Sequence, residues 1–371
     1  MRIALIVGCI FFSLLATSVV FPQDDEGLNF SGFFRTDVGV SWVVSNDSLE
    51  RYSYAGRNTF RLDFINKDTT YGKVDGSIDF YILSGEKSRP LTFQTNGLLI
   101  GDEVLLWFDL RKLYLLTRLE WMDISVGRQL VKFGKGFVFS PINFFDRLDL
   151  TDINFSRVGV DIIRVKIPIS DTGAFDIVSA PKIEITNSDV STRIIFSVLG
   201  VELEGIFGYF GKDEYLRSGV SFKGDIEIGI YGEFVYNYNE EEDKRYYEFM
   251  VGGDYSFLDH FTSRAEYYYN SYDKDNLTPM QSIKLKHYPF VSKDYILLQL
   301  SYTPDILNTI TLSYIKNLEK EGFILYLEYR RNLFQNINFY TDVRFFYRDI
   351  SGIINSKINN LYTSLSFDVR F

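Results

Sequence analysis

Residues 323–330 read Phe323-Ile324-Leu325-Tyr326-Leu327-Glu328-Tyr329-Arg330. Phe323, Leu325, Leu327 and Tyr329 share one parity; Tyr326, Glu328 and Arg330 share the other. A period of two describes an extended strand with one apolar and one polar face. The pattern recurs outward from this stretch. Val343, Phe345 and Tyr347 oppose Asp342, Arg344 and Arg348, and Leu365, Phe367, Val369 and Phe371 oppose Ser364, Ser366, Asp368 and Arg370. Near the start, Phe34, Val38, Val40 and Trp42 oppose Arg35, Asp37, Gly39 and Ser41. Phe60, Leu62 and Phe64 alternate with Arg61 and Asp63, and Val74, Ile78, Phe80 and Ile82 with Asp75, Ser77, Asp79 and Tyr81.

A soluble β-sandwich also alternates, with its apolar face inward. Three features favour a bilayer instead. The runs are long, about 9 to 14 residues against a usual five or six. Aromatic rings gather at strand ends, as interfacial girdles require. The connections alternate between short turns and long loops, the long ones falling at 84–103, 131–155, 272–292 and 349–358. Candidate strands lie near 28–44, 56–66, 71–83, 104–117, 119–130, 156–168, 173–181, 190–199, 200–211, 215–223, 225–238, 244–257, 260–271, 293–303, 307–318, 321–331, 334–348 and 359–371. The expected fold is all-β: a transmembrane antiparallel barrel of about 18 strands, with 16 as the other even count. In 157–169 the apolar parity flips between Ile162 and Ile163, which predicts a β-bulge there.

Composition agrees. Of 371 residues, 34 are Phe, 26 Tyr and 3 Trp, while Pro numbers 8. Long closed ladders tolerate little proline. A net charge of −10 leaves no broad basic surface, so nucleic acid is not an expected partner. The single Cys excludes a disulfide framework and a zinc-thiolate cluster, and no metal or cofactor is expected. Met1-Arg2, the apolar run Ile3–Val20 and the polar start at Gln23 have the layout of a signal peptide. The expected organisation is therefore 1–23 as signal peptide and 24–371 as one barrel in the cell outer membrane. A retained anchor helix and a lipid-attachment box at Cys9 are the weighed alternatives.

The terminal run Leu365, Phe367, Val369 and Phe371 resembles the last strand of Gram-negative outer-membrane barrels. That resemblance implies recognition by the barrel-assembly machinery. A second resemblance spans Gly127-Arg128-Gln129, Phe133-Gly134-Lys135-Gly136, Ser140-Pro141-Ile142-Asn143-Phe144-Phe145-Asp146 and Arg157-Val158-Gly159-Val160-Asp161. It is similar to a stretch of alginate-export-like porins, although Phe133 stands where that family often has Trp. It implies a diffusion or export channel.

Eighteen strands leave an aqueous lumen, and constrictions then set selectivity. Segment 131–156, rich in Gly and Phe, is expected to fold inward and narrow the pore. Lys132, Lys135, Asp146, Arg147 and Asp149 are its charged candidates; Arg157, Asp161, Arg164 and Lys166 are those of the facing wall. Simple alternation puts Arg128 on the lipid side. An external cap is the alternative for the loop, and a self-neutralising network for the charges. The expected function is passive diffusion or export of small hydrophilic solutes. Expected partners are the bilayer and its lipopolysaccharide; the acidic loops at Glu240–Asp243, Glu319 and Glu321 are expected to form a solvated rim, with cation bridging to lipopolysaccharide as the weighed alternative, and a homotrimer is one open arrangement. A non-conducting anchor is the first alternative and an outer-membrane hydrolase the second. The hydrolase would need one of two histidines, His260 or His287, and the chain has no G-x-S-x-G, H-E-x-x-H or P-loop.

Overall fold

The computed structural model describes residues 27–45, 48–66, 71–85, 98–100, 104–145, 159–211, 214–240, 243–272, 290, 292–348, 350 and 358–371. The expected signal peptide lies outside the described residues. Strands β1 (Leu28–Ser45), β2 (Ser48–Asn66), β3 (Gly72–Gly85), β4 (Leu98–Ile100), β5 (Val104–Arg118), β6 (Asp123–Gln129) and β7 (Val160–Ser170) come first. Then follow β8 (Gly173–Ala180), β9 (Asp189–Val198), β10 (Val201–Phe210), β11 (Tyr215–Ile226), β12 (Ile228–Asn239) and β13 (Lys244–Phe257). The chain ends with β14 (Phe261–Asn270), β15 (Asp294–Asp305), β16 (Asn308–Asn317), β17 (Phe323–Phe334), β18 (Ile337–Tyr347) and β19 (Ile358–Arg370). One short 3-10 turn, Ile185–Asn187, joins them.

The 19 strands form a single antiparallel sheet in which β4 pairs only with β5. The other 18 pair in chain order and close, β1 against β19, from Phe33 opposite Arg370 to Ser45 opposite Ile358. Closure leaves the sheet without a terminal edge strand. Each wall strand falls on one of the runs predicted from alternation, which decides for 18 over 16. The terminal residue completes the seam: Gly32 and Phe371 exchange backbone bonds of 3.0 and 3.1 Å, and Phe371 stacks on Phe60 at 5.8 Å.

The outer face is apolar over most of its height. Val220, Phe234, Val251, Leu298, Leu312, Leu327, Val343 and Leu365 all stand exposed on it. Rings mark its two ends. Toward the long loops, Tyr247 stacks on Tyr269 at 5.7 Å and Phe323 on Tyr347 at 4.9 Å. Toward the short turns, Phe257 stacks on Phe261 at 5.2 Å and Phe261 on Tyr302 at 4.5 Å. Along β13, Tyr247 and Phe257 are ten residues apart; at about 3.3 Å per residue and a tilt of about 40° that is roughly 25 Å. That height matches the apolar band of a membrane barrel.

Two expectations fail locally. β7 pairs with β6 from Gln129–Val160 to Asp123–Lys166 without a shift, so no bulge exists at Ile162–Ile163. The irregularity in β7 lies instead at Pro168–Ser170. Ile162 looked out of phase because it faces inward and is buried against apolar partners from segment 131–145. As a consequence Asp161 stands on the outer face rather than the inner one, opposite Arg128.

Candidate functional site: an inner segment and the wall it covers

After Gln129 the chain leaves the wall, and residues 131–145 lie inside the barrel without regular structure. An irregular backbone there must find partners for its N–H groups. Two buried wall carboxylates accept from six of them. Glu233, on the inner face of β12, accepts from the N–H of Lys135 (2.6 Å), Gly136 (2.9 Å) and Ile142 (3.1 Å), and from Ser140 Oγ (3.0 Å). Glu266, on β14, accepts from the N–H of Phe137 (2.5 Å), Val138 (3.0 Å) and Phe139 (3.1 Å), and from Tyr231 Oη (2.9 Å). Charge-assisted bonds of this kind are about twice as strong as neutral ones. Within the segment, Asn143 Oδ1 accepts from the N–H of Phe133 and Gly134.

The apolar residues of the segment point into two clusters. Val131, Phe133, Ile142, Phe144 and Phe145 pack on Ile162, Val178, Ile206, Phe210 and Val235. Val138 and Phe139 pack on Tyr231, Met250, Tyr268, Tyr295, Leu297 and Ile315. The inner face from β7 to β16 therefore meets the segment with apolar side chains beside its two carboxylates. Arginines complete the fit: Arg193 lies over the Phe133 ring at 4.5 Å, Arg217 over Phe144 at 4.4 Å and Arg264 over Phe137 at 4.2 Å. Glycine is required at Gly136, where a Cβ would overlap the Phe139 carbonyl.

A chain of charges links this half of the wall to the segment. Arg164 bonds Asp176 at 2.6 Å, and Arg193 bonds both Asp176 (2.7 Å) and Glu204 (3.4 Å). Lys135 of the segment closes the chain on Glu202 and on Glu204 at 3.6 Å. Lys166 faces the same side as Arg164 and sits in register between Asp123 and Asp176. Lys132 is exposed. Asp146, Arg147, Asp149 and Arg157 lie outside the described residues. The structure thus brings Lys135 and Arg164 into one network, places Lys166 beside it, and removes Asp161 to the outside.

The remaining inner face, from β17 through β19 and β1 to β5, carries no such cover among the described residues. It is lined with ion pairs: Arg57–Asp37 (3.0 Å), Arg61–Asp79 (2.6 Å), Lys112–Asp75 (2.6 Å), Arg35–Asp368 (3.4 Å) and Arg344–Asp342 (2.9 Å). Asp37 Oδ1, Ser77 Oγ, Ser366 Oγ and Asp368 Oδ1 are buried with no hydrogen-bond partner in the protein. Buried polar atoms of that kind take water.

Of the two histidines, His260 lies at a turn with Nδ1 3.0 Å from the Thr303 carbonyl, and His287 lies outside the described residues.

No family model matches the chain, and no curated protein matches it by sequence. Solved structures do match in fold. Pseudomonas aeruginosa OpdQ aligns over 94% of this chain and 99% of its own at 9% identity, with a TM-score of 0.61. A BenF-like porin from Pseudomonas fluorescens Pf-5 aligns over 93% and 99% at 9% identity, TM-score 0.61. Acinetobacter baumannii OccAB4 aligns over 94% and 100% at 9% identity, TM-score 0.59. At such identity the likeness is one of fold.

Proposed function

We propose that this chain is an outer-membrane channel for passive diffusion or export of small hydrophilic solutes. The observation that carries the reading is the division of the lumen. Segment 131–145 covers the inner face of one half of the wall, and among the described residues the other half carries no such cover. Solute therefore moves along the bare half, past a constriction formed by the segment. The long loops face outward from the cell and the short turns face the periplasm. Lys132, Lys135, Arg164 and Lys166, with Asp146, Arg147, Asp149 and Arg157, set the charge at the constriction; Asp161 is left out because it faces away. Leu365, Phe367, Val369 and Phe371 serve as the strand read by the barrel-assembly machinery, and residues 1–23 as the export signal. The likeness to porin folds supports a channel over a structural anchor, and nothing at His260 resembles a hydrolase site.

Refolded protein in a planar bilayer tests this. Discrete conductance steps are expected. Folded protein that gives none overturns the channel reading in favour of an anchor. In a salt gradient, Arg164→Ala and Arg157→Ala are expected to shift the reversal potential toward cation preference. An unchanged potential removes these residues from selectivity.

A further inference from the structure

The outer face holds one charged feature that the channel reading leaves unused. Arg128 on β6 bonds Asp161 on β7 through both ends of its guanidinium, Nε to Oδ1 at 2.9 Å and Nη2 to Oδ2 at 2.7 Å. Its third nitrogen, Nη1, donates to the Leu110 carbonyl of β5 at 3.2 Å. The surroundings are apolar: Val126, Ile163, Leu113 and Leu115 are exposed on the same face. Arg128 lies five residues above the start of β6, which at about 3.3 Å per residue and a tilt of about 40° puts it near the middle of a band roughly 25 Å high. A lone Arg at that depth on the lipid face is strongly unfavourable.

The reason for its presence is the early end of β6. β6 pairs with β5 only over Leu113–Arg118, and β4 pairs only with Val104–Leu106 on that side. Between them no described strand pairs with that edge of β5. A backbone carbonyl facing hydrocarbon without a donor is not tolerated. Arg128 supplies the donor for Leu110, and Asp161 neutralises Arg128. The glycines of the same stretch serve this junction. Gly127 has φ +124°, and a Cβ on Gly159 would overlap the Arg111 carbonyl, so β7 approaches β5 closely where β6 gives out.

Building on the channel reading, we propose that Arg128 and Asp161 form a clasp in the barrel wall. The clasp replaces the missing strand and fixes the point from which segment 131–145 enters the lumen. Both are positioning residues for the pore, although neither faces it.

The test is single-channel recording of wild type, Arg128→Ala, Asp161→Ala and the exchanged pair Arg128→Asp/Asp161→Arg. Each single variant is expected to make transitions between current levels about tenfold more frequent, as loss of a charge-assisted bond implies. The exchanged pair, which restores the ion pair but not the donor to Leu110, is expected to return only part of the way to the wild-type record. Single variants with wild-type current traces overturn the clasp. If the single Ala variants do not fold, folding restored by Arg128→Lys, which keeps a cation for Asp161 and a donor for Leu110, supports the clasp, and folding not restored overturns it. A silent wild type defeats the channel reading alone. Trypsin cleavage at Lys132 and Lys135 in liposomes then reads the clasp: faster cleavage in Arg128→Ala supports it, and equal cleavage overturns it.

Discussion

The two halves of the barrel share an outer surface and differ in their inner one. From β7 to β16 the inner face carries Val178, Ile206, Val235, Met250 and Leu297, all buried under segment 131–145. From β17 through β1 to β5 it carries Arg35, Arg57, Arg61, Lys112 and Arg344 with carboxylate partners. Lipid demands the same apolar exterior everywhere, so the exterior says nothing about the pore. Among the described residues, the interior of one half meets the irregular segment and that of the other carries no such cover. Ion pairs of wall residues occur in both halves, but among the described residues only the covered half has carboxylates that hold a backbone segment. Glu233 and Glu266 hold backbone amides of an irregular segment, whereas Asp37 and Asp79 balance guanidinium groups of the wall.

The largest way to break this contrast is to remove both anchors. Glu233→Ala/Glu266→Ala leaves six backbone N–H groups of residues 135–142 without acceptors, at about 1–3 kcal/mol each if they stay buried. The segment is expected to leave the wall, with single-channel conductance rising about threefold or more as the lumen widens. Unchanged conductance in a folded barrel would contradict the assignment of the constriction. Next in size, Phe139→Ala removes a ring that stacks on Tyr268 at 5.4 Å and meets Phe290 edge-on at 5.0 Å. A loss of about 3–5 kcal/mol of local packing is expected. It should appear as flicker between current levels, with the main level retained.

On the bare half, Arg61→Ala is expected to leave conductance within about twofold and to move the reversal potential toward cation preference, because Asp79 then keeps the Tyr81 hydroxyl but loses the guanidinium that balances its charge. A large conductance change from this variant, or none in selectivity, would blur the two halves. The smallest effect belongs to the exterior. Leu325→Ala, exposed on the lipid side, is expected to lower folding stability in a urea titration by about 2 kcal/mol or less with no change in current.

Sequence alone revealed the bare half far more clearly than the covered one. The cleanest alternations, Arg35 to Ser41, Asp75 to Tyr81, Tyr326 to Arg330 and Ser364 to Arg370, all lie on strands that segment 131–145 does not cover. Strand β12 is apolar on both parities: Ile230, Phe234 and Tyr236 outside, Tyr231 and Val235 inside. Contact with protein on the inner face erases the period-two signal, and with it the identity of Glu233 as an anchor. A carboxylate between Tyr231 and Val235, in a strand apolar on both faces, was the signal that could have found it. Ile162 produced the opposite error, an inward apolar residue that looked like a bulge and turned Asp161 the wrong way. The Gly and Phe content of 131–156 carried the expectation of an inward fold; its described part, 131–145, packs on inner wall residues, and 146–156 lie outside the described residues. Its acceptors were invisible because they come from strands about 100 residues or more downstream, a separation that no local pattern encodes.

The most direct test of the divided lumen is chemical access from the pore. In a Cys9→Ser chain, single cysteines replace Lys112 on the bare half, whose side chain is 26% exposed, and Val235 on the covered half, which is 0% exposed. A charged methanethiosulfonate reagent is added during single-channel recording. The account predicts an abrupt change in current for Lys112→Cys and none for Val235→Cys. Equal modification at both positions, or modification at Val235→Cys alone, would contradict it.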